Sequence, residues 1–122
     1  MKDVFLVGFG GMIGSIMRYI ISKNLSGLLS SFPFGIFFIN ISGCFLAGIL
    51  LKYILGIDKE YSTYLNLFLV IGFCGGFTTF SAFSIDSVNL LNENKIILLI
   101  SYGLLSSVVG ILFCYLGMNI IK

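Results

Sequence analysis

Four long apolar stretches, separated by short connections that hold most of the charge, constrain this 122-residue chain more than any other feature. They run over residues 4–22, 33–53, 64–91 and 96–121. One membrane crossing takes about 20 apolar residues, so four crossings with short loops use the whole length. Hydrophobic residues make up 58% and charged residues 10%, against about 45–50% and about 25% in soluble domains. A soluble sphere of this size could not hide so much apolar surface. The expected class is an all-α membrane protein, a single domain over 1–122, crossing the cell membrane four times.

That arithmetic leaves no room for a soluble catalytic, nucleotide-binding or regulatory domain. Net charge is +2 with no block of like charges, which gives nucleic acid and acidic partners no foothold. There is no histidine, the commonest general base and transition-metal ligand. With no nucleophile and base pair either, the chain does not read as an enzyme. Cys44, Cys74 and Cys114 stand alone in apolar stretches without a Cys-x-x-Cys pair and read as reduced packing residues. Ile16-Met17-Arg18-Tyr19-Ile20 lacks a small-residue cleavage pattern, so the first stretch is expected to be a retained helix rather than a signal peptide.

With four crossings, the termini and the middle loop share one side, holding Lys2, Lys52, Lys59 and Lys122; the other side holds Arg18, Lys23 and Lys95. Orientation follows Lys/Arg asymmetry, and four against three is nearly none. Either a weak bias or insertion in both orientations fits the count. A four-helix chain this small seldom encloses a solute pathway alone, so self-association is expected. Gly10-x-x-x-Gly14, Gly72-x-x-x-Gly76 and Ser106-x-x-x-Gly110 supply small-residue faces for close helix approach, within one subunit or between two.

Polar residues inside such stretches cost free energy and ask for a partner or a function. Arg18 lies about 21 Å along the first helix from Val4; it either snorkels to the interface or stands as a fixed cation beside an anion pathway. Asn40, near the middle of the second stretch, either bonds a neighbouring helix or offers its NH₂ to an anion. The third stretch contains Gly72-Phe73-Cys74-Gly75-Gly76-Phe77-Thr78-Thr79-Phe80-Ser81-Ala82-Phe83-Ser84. Three glycines, two adjacent threonines and a serine are poor material for an unbroken helix. A break at mid-membrane depth frees backbone groups that protein, water or an ion must satisfy, and freed carbonyls coordinate cations. Phe80 and Phe83 share a helical face, and ring edges attract anions without charge. Asp86 follows, either solvated or paired with a basic residue. Tyr102 and Ser106, four apart, stack two hydroxyls on one face.

At these residues the resemblance becomes close. Gly10-Gly11-x-x-Gly14-x-x-x-Arg18-Tyr19, Pro33-x-Gly35-x-x-x-x-Asn40-x-x-Gly43 and Gly72-Phe73-x-Gly75-Gly76-x-Thr78-Thr79-Phe80-Ser81-x-Phe83-Ser84 resemble the ordered signatures of the Fluc (CrcB) fluoride channels over essentially the whole chain. The resemblance implies an antiparallel, dual-topology homodimer in membrane lipid, carrying fluoride passively out of cells through two pores. It further implies a central structural Na⁺ held by backbone carbonyls of Gly75 and Thr78. Phe80 and Phe83 then present ring edges along the pore, Asn40 donates into it, Tyr102 and Ser106 form a polar track, and Arg18 matches a vestibule arginine. The chain departs from the family pattern at Ile36 and Ala82, where hydroxyl residues are common, and at Asp86, where glutamate is. The rival reading is a small cation or drug antiporter built from a four-helix dimer, which the missing first-helix carboxylate disfavours. A non-transporting assembly subunit leaves the polar residues on three helices unexplained.

Overall fold

The computed structural model describes residues 1–121; Lys122, counted above on the side of the termini, lies outside them. The chain forms α1 (Lys2–Leu25), α2 (Phe34–Leu55), α3 (Lys59–Leu65), a π-helical segment (Asn66–Cys74), α4 (Gly75–Phe77), α5 (Phe80–Asn92) and α6 (Ile96–Ile120). Four spans are long and apolar enough to cross a membrane: Lys2–Leu25, Phe34–Leu55, Lys59–Asn92 and Ile96–Ile120. The described residues contain no strand.

Helix ends follow local chemistry more than hydropathy. The first span begins at Lys2 and the third at Lys59, earlier than residues 4 and 64, because charged residues extend a helix into the interface at little cost. Asp3 in the first turn of α1 and Lys23 in its last complement the helix dipole. Pro33 stands at the N-cap of α2, where its missing N–H costs nothing. Between α5 and α6 the chain turns through Asn94 at φ 57°, a left-handed conformation that asparagine tolerates. Lys95 ion-pairs with Glu93 there at 2.6 Å.

Glycines decide the packing. The first span lies against the π segment and α4, and α2 lies against α6. A Cβ on Gly10 or Gly14 would run into the backbone of Phe68, Phe73 or Phe77, and one on Gly72 or Gly76 into that of Val7, Gly10 or Gly11. These two small-residue faces therefore meet each other inside one subunit, close enough that no side chain fits between. Gly48 and Gly117 do the same for α2 against α6. Gly110 faces Cys44 of α2, which turns the Ser106-x-x-x-Gly110 face inward as well.

The third span is interrupted as its composition predicts. The π segment was not legible in the sequence; such wide turns are uncommon and collect at functional sites. Thr78 and Thr79 are extended, at φ −75°, ψ 155° and φ −150°, ψ 122°. The second half, α5, packs chiefly on α6 and, to a lesser extent, on α2, and Phe80 is 79% exposed and Ile85 62% exposed.

Candidate functional site

The break exposes backbone groups, and five side chains bond to the backbone around it. Asn40 Nδ2 donates to the Thr79 carbonyl at 3.0 Å while Asn40 Oδ1 accepts from the Thr79 N–H at 2.8 Å. This is a two-point clamp, the pairing a neighbouring strand would give, made by one amide. It spends one of the two Nδ2 hydrogens and leaves the other free. Thr79 Oγ1 then accepts from the Ala82 N–H at 3.2 Å, capping α5 in the manner that favours threonine at such positions. On the opposite lip, Arg18 Nε donates to the Gly76 carbonyl at 3.1 Å, joined by Ser15 Oγ at 3.4 Å. Thr78 Oγ1 turns back to the Cys74 carbonyl at 2.9 Å. Gly43 lets the second span come this close, since a Cβ there would strike the Thr78 methyl.

Two carbonyls of the break differ from these. Among the described residues no side chain donates to the carbonyl of Gly75 or Thr78. Gly75 is exposed on the surface of the subunit.

Beside the clamp runs a groove of about 270 Å³ lined by Asn40, Cys44, Thr78, Thr79, Phe80, Phe83, Ser106 and Ser107. Phe80 and Phe83 lie with ring centroids 5.7 Å apart at 33°. The Ser106 hydroxyl is buried against this groove without a hydrogen-bond partner. A buried hydroxyl left unmatched costs about 1–3 kcal/mol, so it asks for a ligand or a water.

Of the remaining sequence candidates, Thr78 also lines the groove, while Tyr102, Arg18 and Gly75 fall outside it. Tyr102 is fully buried, its ring 4.8 Å from that of Phe83, its hydroxyl donating to Asp86 Oδ2 at 3.4 Å. Asp86 is thus bonded to a phenol, not to a lysine or arginine. Arg18 lies on the break's backbone. The structure therefore brings Asn40, Thr78, Phe80, Phe83 and Ser106 together, Thr78 being part of the break as well, while Tyr102 stands behind them and Arg18 and Gly75 belong to the break alone. Sequence reasoning passed over Thr79 as a cap and Cys44 as a groove residue. The threonine three places before Ala82 was a capping signal; Cys44 carried none.

Four apolar spans, one interrupted, with neutral donors and aromatic rings converging on a single groove, define a small multi-pass membrane protein. The CrcB-like protein, camphor resistance (CrcB) family model matches residues 5–118, and the chain belongs to that family. It is similar to the fluoride-specific ion channel FluC of Flavobacterium psychrophilum, 38% identical over 100% of this chain and 98% of the relative. That of Chlorobium phaeobacteroides is 39% identical over 98% of this chain and 92% of its own. A third relative, fluoride-specific ion channel FluC 2 of Clostridium acetobutylicum, is 44% identical over 94% of each chain. These relatives are named as channels, not enzymes or antiporters, and the antiporter reading finds no support.

Proposed function

We propose that this chain is a fluoride-selective channel that lets fluoride leave the cell passively across the cell membrane. The observation that carries the reading is the groove: an unmatched Ser106 hydroxyl, the second Nδ2 hydrogen of Asn40 and the rings of Phe80 and Phe83 around one space. Fluoride is small and strongly hydrated, so conduction requires donors that replace its water without holding it too tightly. A hydroxyl, an amide and ring edges are neutral and meet both demands. The names of the relatives supply the ion. Liposomes containing the protein should lose fluoride and retain chloride; equal chloride efflux would sink the selectivity.

The same reading includes an antiparallel, dual-topology homodimer with two pores. Its support is the surface left uncovered around the break, where Phe80 is 79% exposed and Gly75 carries no side chain, together with the near-even lysine and arginine count. Epitope tags on both faces of the membrane in one cell test the dual insertion. A central Na⁺ belongs to this reading as well. The described residues hold no cluster of His, Cys, Asp or Glu fit for a metal, but the Gly75 and Thr78 carbonyls are hard oxygen donors free of side-chain bonds, the set that suits a hard cation. Two such carbonyls per chain become four in a symmetric pair. If bound, the ion would be held by these carbonyls and would supply a fixed positive charge there. Protein prepared strictly without Na⁺ should lose dimer or fluoride flux; full activity without it would remove the ion from the account.

A further inference from the structure

A second cavity, of about 370 Å³, opens at the other end of Tyr102, lined by Tyr19, Ser22, Lys23, Phe32, Ile36 and Asp86 among others. It shares no lining residue with the groove of Asn40 and Ser106. Tyr102 lines neither cavity yet touches the walls of both: Asp86 and Phe32 on one side, Phe83 on the other. It is fully buried and held from three directions. Its hydroxyl is on the Asp86 carboxylate at 3.4 Å. The Phe32 ring meets it edge-to-face at 5.4 Å and 85°, and the Phe83 ring lies at 4.8 Å. Phe32 is itself braced by Phe37 at 5.3 Å and 74°.

We infer that Tyr102 is the partition between a charged outer vestibule and the neutral groove, and that Phe32 and Asp86 are positioning residues that hold it shut to anything larger than fluoride. The inference rests on the channel reading above. Lys23, over the Tyr19 ring at 6.0 Å, gives the vestibule a cation at its mouth, and Asp86 sets a carboxylate at its floor. A free carboxylate there would repel an anion; bonded to a phenol, its main work is to fix a ring. An edge-to-face contact adds direction to burial, so Phe32 sets the tilt of Tyr102 while Asp86 sets its depth. With the ring fixed, the passage is narrow and selective by size. Freed on either side, the ring swings and the two cavities join.

Cys44 makes this testable without reference to ion flux, because it lines the groove on the inner side of the partition. In liposomes, lipid or a second copy covers the groove's open flank, and a charged methanethiosulfonate reagent must come through water. The protein carries Cys74→Ser and Cys114→Ser, so Cys44 is the one thiol. Phe32→Ala should speed Cys44 modification about tenfold, the shift expected when one aromatic contact is lost, and should admit chloride efflux. Asp86→Ala should do the same. Asp86→Asn, which keeps an acceptor for the phenol, and Phe32→Tyr, which keeps the ring, should stay within about twofold of the parent.

Wild-type modification rates and intact chloride exclusion in both alanine variants would overturn the inference and leave Phe32 as loop packing. Should Phe32→Ala not assemble, Tyr102→Phe decides: it keeps the ring and the Phe32 contact but loses the Asp86 anchor, and an unchanged Cys44 rate there refutes the partition equally. Absent fluoride flux from the parent protein would instead refute the channel reading, which the Cys44 rates do not measure.

Discussion

The break in the third span and the groove beside it are built from the same residue types and end in opposite states. At the break, amide, guanidinium and hydroxyl groups are matched to backbone: Asn40 to both sides of Thr79, Arg18 and Ser15 to Gly76, Thr79 to Ala82. In the groove a hydroxyl of the same kind, on Ser106, has nothing. In lipid an unmatched polar group is costly, so the matched ones hold structure and the unmatched one is available to a solute. Asn40 belongs to both, with one amide hydrogen used and one free.

The largest test of that division is Gly14→Leu, whose side chain would have to occupy the space of the Phe73 and Phe77 backbones. No rearrangement of side chains relieves such a clash, so a loss beyond about 4–5 kcal/mol is expected and with it any single peak on a sizing column. Next comes Asn40→Ala, which strips the Thr79 N–H and C=O of their clamp. Two unsatisfied groups at about 1–3 kcal/mol each should lower thermal stability and fluoride flux together. Flux lost with stability intact would make Asn40 a pathway residue alone. Phe80→Ile should suppress flux with assembly retained, and a missing dimer would demote Phe80 to packing. The smallest structural effect belongs to Ser106→Ala. With no hydrogen bond to lose, stability should hold or rise by up to about 1 kcal/mol, while fluoride flux falls; unchanged flux would remove Ser106 from the pathway and erase the contrast.

Much of this was legible in order along the chain. Four crossings follow from apolar length alone, and the interruption at Thr78-Thr79 follows from three glycines and two threonines where a helix wants neither. Periodicity put Phe80 with Phe83 on one face, and only the resemblance implied that Asn40 and Ser106 join them. Beyond the π segment and the roles of Thr79 and Cys44, three pairings between helices were not legible. The sequence left open whether Gly10-x-x-x-Gly14 and Gly72-x-x-x-Gly76 face a second copy, and they face each other. Arg18 read as a free cation or a snorkelling one, and it binds a carbonyl. Asp86 read as solvated or ion-paired, and it accepts from Tyr102. Each depends on which helix lies opposite, which periodicity within one helix does not encode.

The sequence by itself determined the solvent, the number of crossings, the place of the break and the neutral character of the polar groups, because each is a property of one segment and its transfer into lipid. Only the tertiary structure decided which polar groups are spent on the fold and which remain. That outcome depends on distances of about 3 Å between residues 39 or 58 positions apart, and hydrogen bonds are short-ranged and directional enough that one helix rotated by a residue would reverse it.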